Sequence, residues 1–230
     1  MKTPVFVEFN GITGTGKTTV ARMLICILKD KGYSVTDYNN SLPPVLQSIP
    51  LHIKVLFNMR VCVWRLFFCY FRFVHTFAGF KVWREYFSVL KICAFLNYYY
   101  KNKESDIIIL DEGLFQKFEF LISDKINPDC TQIRQICKLL KVCFGRFVIV
   151  NAVISAEQAI ERITRRNGNS PYDSLPPEER DAILHAQARC FEKMRLAGTQ
   201  EPGISIDAAC APEKNAGIIF EHIYESLNHR

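Results

Sequence analysis

The sequence predicts a three-layer α/β/α fold built on a parallel sheet, and three observations carry that expectation. Short strands alternate with helical segments along the 230 residues, as right-handed βαβ crossovers require. Two strands, Ile107-Ile108-Ile109-Leu110 and Phe147-Val148-Ile149-Val150, are unbroken apolar runs, the pattern of strands buried on both faces. Between an apolar strand and a helix lies Gly11-Ile12-Thr13-Gly14-Thr15-Gly16-Lys17-Thr18, the spacing G-x-x-x-x-G-K-T at a strand-to-helix turn.

The first strand is Val5-Phe6-Val7-Glu8-Phe9, which runs straight into the glycines. Glycine lets successive backbone N–H groups curl around phosphate oxygens, and a helix N-terminus adds its positive end. Gly11, Thr13, Gly14, Thr15, Gly16, Lys17, Thr18 and Thr19 are therefore expected to cradle a nucleoside triphosphate. Lys17 can reach the β- and γ-phosphates, and the Thr18 hydroxyl can ligate Mg²⁺. ATP and Mg²⁺ are the expected cofactors. A chance glycine turn is the alternative, and the correct flanks argue against it.

The helix opening at Lys17 carries Val20, Leu24, Ile27 and Leu28 on one face and stops at Lys31-Gly32, a basic last turn before a glycine. Tyr33 to Asp37 reads as a second strand, and Asn39-Asn40-Ser41 with Pro43-Pro44 breaks the chain. Residues 51–100 form a long aromatic, helical block. The strand at 107–110 ends in Asp111-Glu112-Gly113, and two less regular helical stretches lead to the strand at 147–150. Ser155 offers an N-cap with Gln158 as its capping-box partner. That helix carries Arg162, Arg165 and Arg166. A polar loop over 167–177, a helix near 178–196, a strand from Gly203 to Asp207 and a helix from about Pro212 complete the pattern.

One α/β domain over residues 1–230 suits this length. The formal charge of +6 suits a protein that handles phosphates or sits near anionic surfaces. Nine cysteines are dispersed without a C-x-x-C pair, the usage of reduced cytosolic thiols filling core space rather than of metal or disulfide sites. Met1-Lys2-Thr3-Pro4 enters the first strand directly, so no targeting peptide is expected and the expected location is cytoplasmic.

Taken in order, these pieces resemble the P-loop nucleoside and nucleotide kinases, especially the thymidylate-kinase-like group. The resemblance covers most of the chain: glycine-rich loop, second strand, helical acceptor region, strand with an acidic end, arginine helix, lid and final strand. It implies a five-stranded parallel sheet of order 2-3-1-4-5 and a lid over 167–177. Arg162-x-x-x-Arg166 is similar to the start of the family's lid, and Ile206-Asp207-Ala208-Ala209 with Pro212-Glu213 to its adenine-side loop. Two departures bear on the acceptor. Thymidylate kinases carry Arg-Glu-Pro-Gly after strand two, where this chain reads Asp37-Tyr38-Asn39-Asn40. They carry Asp-Arg after strand three, where it reads Asp111-Glu112-Gly113. Those arginines would hold a monophosphate, so the resemblance implies ATP-dependent transfer to a small-molecule acceptor other than dTMP.

Phosphoryl transfer needs charge neutralisation and alignment more than covalent help. Asp111 closes the strand expected beside the glycine-rich loop, where a carboxylate can hold Mg²⁺; capping the following helix is the plainer role. Glu112 could activate water, and an acidic pair after an apolar strand also fits an ATPase that works as a conformational switch. Arg162 and Arg166 share a helix face. The resemblance places Arg162 over the adenine and Arg166 at the transferring phosphate, against the plainer reading of a solvated basic face with Glu161 paired to Arg165. Asp37 ends the second strand at the carboxyl edge, where open α/β sheets bind ligands. There it could take a proton from an acceptor hydroxyl, or simply form the turn before Asn39.

Val55 to Val74 has the length of a membrane span, but its charges argue otherwise. Eleven Val, Leu and Phe residues supply roughly −3 to −7 kcal/mol on the insertion scale, Arg65 costs about 3, and Arg60 and Arg72 add to that. As a helix it is apolar with one polar stripe, Asn58, Arg65 and Arg72, with Lys54 on the same side. The stripe could line the acceptor site, with the rest of the 51–100 block as core or a homodimer face. It could rest on an anionic membrane as a peripheral contact, or belong to ordinary packing. No recognisable nucleic-acid module is present, and no nucleic-acid partner is expected.

Overall fold

A computed structural model describes residues 3–39, 59–74, 80–121, 130–166, 172, 174–198 and 203–228. Five strands, β1 (Val5–Asn10), β2 (Val35–Asp37), β3 (Ile107–Leu110), β4 (Phe147–Val153) and β5 (Gly203–Asp207), form one sheet in the order β2-β3-β1-β4-β5. Every pairing is parallel. The expected class and strand order are both present. The described helices are α1 (Lys17–Asp30), α2 (Val61–Val74), α3 (Phe80–Asn102), α4 (Leu114–Leu121), α5 (Cys130–Phe144), α6 (Ala156–Arg165), α7 (Pro177–Gly198) and α8 (Pro212–Asn228).

Strand alternation divides the apolar residues between two cores. Val5, Val7, Phe9, Ile107, Ile109, Val148 and Val150 pack with Leu24 and Leu28 of α1 and Ile219 and Ile223 of α8. Phe6, Ile108, Leu110, Phe147 and Ile149 pack with Leu66 of α2, Phe95 of α3 and Leu140 of α5 on the other face. The continuous apolar runs follow from this double burial. β1 lies between β3 and β4, with Glu8 opposite Leu110 and Ile149. That placement brings the loop after β1, the end of β3 and the start of α4 to one edge.

Some boundaries differ from the expectation. β2 starts at Val35 rather than Tyr33, because the Tyr33 N–H closes the end of α1 on the Leu28 carbonyl (3.1 Å). The Asp106 carboxylate then takes the Ser34 N–H (2.9 Å) and hydroxyl (2.7 Å). The Ser155 capping box forms with Gln158. Buried Cys93, Cys137, Cys143 and Cys190 serve as core residues, whereas Cys26 is exposed.

Within the aromatic block, Lys54 and Asn58 lie outside the described residues. Arg65 is exposed on α2. Arg60 precedes α2 and is held by packing: its guanidinium stacks 3.6 Å over the Tyr100 ring and donates to Asn97 Oδ1 (3.3 Å) and the Cys143 carbonyl. No helix among the described residues is long and apolar enough to cross a membrane.

Candidate active site at the carboxyl edge of the sheet

The loop after β1 turns into α1 at Gly16, whose φ of +80° favours a residue without Cβ. Lys17 begins the helix, and its buried side chain folds back into the loop. Its ammonium lies 2.5 Å from the Gly11 carbonyl, 3.0 Å from the Ile12 carbonyl and 3.4 Å from Thr15 Oγ1. The Thr15 hydroxyl itself donates to the Ile12 carbonyl (2.9 Å). Gly11 is buried, Thr13 and Gly14 are half-buried, and Thr19 is exposed on the first turn.

Thr18 is joined to the end of β3. Its hydroxyl donates to Asp111 Oδ2 at 2.6 Å, while Asp111 Oδ1 is buried without a hydrogen-bond partner. Burial raises the Asp111 pKa above the ordinary carboxylate range. The Thr18 hydrogen bond and the Lys17 charge oppose that rise, and the charges of Glu112 and Asp37 add to it. A buried carboxylate oxygen lacking a donor, beside a hydroxyl on a phosphate-type loop, fits a hard cation. Among the described residues no three His, Cys, Asp or Glu side chains converge on a metal position. The pair therefore suits an ion that keeps water and phosphate ligands, as Mg²⁺ does.

Asp37 ends β2 half-buried, close enough for its charge to act on Asp111, and it accepts the Asn39 N–H at 3.0 Å. The Asn39 bond is the turn-forming contact, and the same side chain stands within electrostatic reach of Asp111. Glu112 is exposed and reaches Lys117 at 3.7 Å.

On the other side of β1, Arg162 extends from α6 to the segment after β5, donating to the Ala208 carbonyl at 2.8 Å. That segment is fixed by Ala209 N–H on Asp207 Oδ1 (2.8 Å) and by Asn215 Nδ2 on the Asp207 carbonyl (2.8 Å). Arg162 is thereby joined to the 206–209 segment. Arg165 pairs with Glu161 at 2.5 Å on the exposed face. Arg166 is the exposed C-cap of α6, and residues 167–171 and 173 of the expected lid lie outside the described residues.

Sequence reasoning missed Glu8. It is fully buried on β1, and its Oε1 accepts the N–H groups of Phe115 and Gln116 (3.1 Å for the latter) at the first turn of α4. Burial pushes its pKa up to about 8 despite those bonds. Gly113 makes room for it: a Cβ there would overlap the Glu8 carboxyl. Gln116 in turn donates to the Gly11 carbonyl at 3.4 Å. Glu8 thus couples the glycine-loop strand to the segment that carries Asp111. The available signal was a carboxylate inside an otherwise apolar strand, matched by a glycine just after Asp111-Glu112.

No family model and no curated protein matches this chain. Solved structures do. Deoxyadenosine kinase from M. mycoides with bound dCTP is 18% identical at a TM-score of 0.47, over 96% of this chain and 100% of that one. The YorR protein from Bacillus subtilis, in complex with phosphorylated GDP, is 14% identical at a TM-score of 0.51, over 98% and 99%. What YorR shares with this chain is the fold. Nearly its whole length is matched, so the sheet and the helices around it belong to one shared architecture.

Proposed function

We propose that this protein is an ATP-dependent, Mg²⁺-dependent kinase that transfers the γ-phosphoryl group to a hydroxyl of a small molecule other than dTMP. The observation that carries the reading is the 2.6 Å contact between Thr18 and Asp111 at the floor of a glycine-rich loop, with Lys17 inside the loop and Asp37 beside it. Backbone N–H groups of residues 11–18 and the Lys17 ammonium would bind the β- and γ-phosphates, Lys17 exchanging the Gly11 and Ile12 carbonyls for phosphate oxygens. Thr18 and Asp111 would hold Mg²⁺, which when bound neutralises charge on the phosphates. Asp37 would orient the acceptor hydroxyl and take its proton. A carboxylate there favours a hydroxyl over an anionic phosphate acceptor. Arg162 would border the base at the 206–209 segment, and Arg166 would approach the transferring group from the lid.

The position of Glu112, turned to Lys117 on the surface, supports transfer to an acceptor over activation of water. The test is ATP turnover with purified protein, alone and with a panel of nucleosides, nucleotides, sugars and lipid-linked alcohols. Slow hydrolysis that one acceptor accelerates, with formation of its phosphate ester, is expected. Steady turnover unaffected by any acceptor would replace the kinase reading with that of an ATPase.

A further inference from the structure

The charge of the chain is divided unevenly over the fold. α2, α3 and α5 form one packed group, with α2 against both others. Of the chain's 29 Lys and Arg and 23 Asp and Glu, these three helices hold nine and one, the one being Glu85. The remaining 20 basic and 22 acidic residues nearly cancel. The net +6 of the protein therefore resides in one helical layer, remote in kind from a phosphate site built of a single lysine and backbone amides.

The same layer exposes large apolar side chains. Val61 and Phe68 on α2, Phe87 on α3 and Val142 on α5 are 71%, 57%, 61% and 71% exposed. They alternate with exposed cations at helical spacing: Val61, Arg65 and Phe68 on α2, Phe87 and Lys91 on α3, and Arg134, Lys138 and Val142 on α5. Neither α2 nor α5 contains an acidic residue. Exposed apolar residues set among cations, with Glu85 the single acid of the three helices, suit a surface that is anionic at its face and apolar just beneath. A duplex or single strand would satisfy the cations but give Val61 and Val142 nothing apolar to enter. A second copy of this face would oppose cation to cation. The described α2 spans about 21 Å at 1.5 Å per residue, short of a bilayer's roughly 30 Å core, so contact from the side is the available mode.

We propose that the α2–α3–α5 layer docks on an anionic phospholipid surface, with its lysines and arginines at the headgroups and Val61, Phe68, Phe87 and Val142 entering the interface. This does not rest on the kinase reading. The experiment is sedimentation of the full-length protein with phosphatidylcholine vesicles, with and without phosphatidylserine, at low and high salt. Pelleting with the phosphatidylserine vesicles that weakens as salt rises is expected. The pair Arg134→Gln with Lys138→Gln should lower partitioning about fivefold per charge removed. Phe68→Ser with Val142→Ser should lower it on the same vesicles while ATP binding, read by nucleotide fluorescence, stays unchanged; both pairs lie on exposed positions. Equal pelleting with neutral and anionic vesicles would overturn the proposal. So would binding of a single-stranded oligonucleotide with vesicle binding at background, which would give the face to nucleic acid. A dimer that dissociates in the Phe68/Val142 variant, with no vesicle binding, would give it to a second copy.

Discussion

At the residue scale, Asp111 and Asp37 sit in one field but are expected to fail differently. Asp111→Asn removes a charge from the Thr18-linked position proposed for Mg²⁺, so turnover should fall by two or more orders of magnitude with every acceptor, about 3 kcal/mol or more of barrier. Asp37→Asn should suppress ester formation by about 10²–10⁴ while sparing slow background hydrolysis, the range of general-base loss. Parallel assays of both activities decide it, and equal loss of the two in the Asp37 variant would reduce that residue to its turn. Glu8 makes a pH prediction. Its native pKa of about 8 lies above the unfolded value of 4.5, so between those limits the folded state holds a proton that the unfolded state releases. Its contribution to stability is fully present below pH 4.5 and is lost as pH rises to about 8, by up to about 1.4 kcal/mol per pH unit. Glu8→Gln keeps the acceptor for Phe115 and Gln116 and removes that slope. Urea melts at pH 5, 7 and 9 should show the variant losing less stability across the series than the parent.

Elements are held by local devices that differ in how plainly sequence states them. The Ser155 box was legible because Ser and Gln at three-residue spacing need only each other's backbone. Ser155→Ala should cost about 1 kcal/mol in chemical denaturation without altering turnover per folded molecule. The unbroken apolar strands and the glycine-rich loop were legible for the same reason: their chemistry is contained in a few consecutive residues. Gly113 was not. Its requirement comes from Glu8, on another strand and more than a hundred positions away, so nothing near Gly113 announces it. The Thr18–Asp111 contact was half legible, since each residue type was clear while the contact depends on β3 lying beside β1. The start of β2 differs because Ser34 is captured by Asp106, just before β3 and distant in the chain. Contacts across the sheet are what single-sequence reading lacks.

For the whole molecule, the site joins parts that otherwise belong to different cores. Lys17 begins α1, which packs on the α8 face of the sheet, while Glu8 and Gln116 lie on the face of α4. Asp111 closes β3 between them. A ligand that engages Lys17, Thr18 and Asp111 together therefore binds only when both faces are assembled, and it should stabilise the native state without a comparable affinity for the unfolded chain. Linkage then sets the size of the effect: at a free concentration of 100 Kd, ATP should add about 2.7 kcal/mol. For a chain of 230 residues that corresponds to a rise in Tm of roughly 5–10 °C, taking about 2–4 °C per kcal/mol. The rise should be larger with Mg²⁺ than with EDTA, because Thr18 and Asp111 contribute only through the cation. Lys17→Ala should abolish most of the shift and also lower the ligand-free Tm by a few degrees, since it removes a donor from the buried Gly11 and Ile12 carbonyls. Differential scanning fluorimetry over an ATP titration measures all of these at once. A Lys17→Ala protein that still gains the full shift would mean that ATP stabilises the fold somewhere other than the glycine-rich loop.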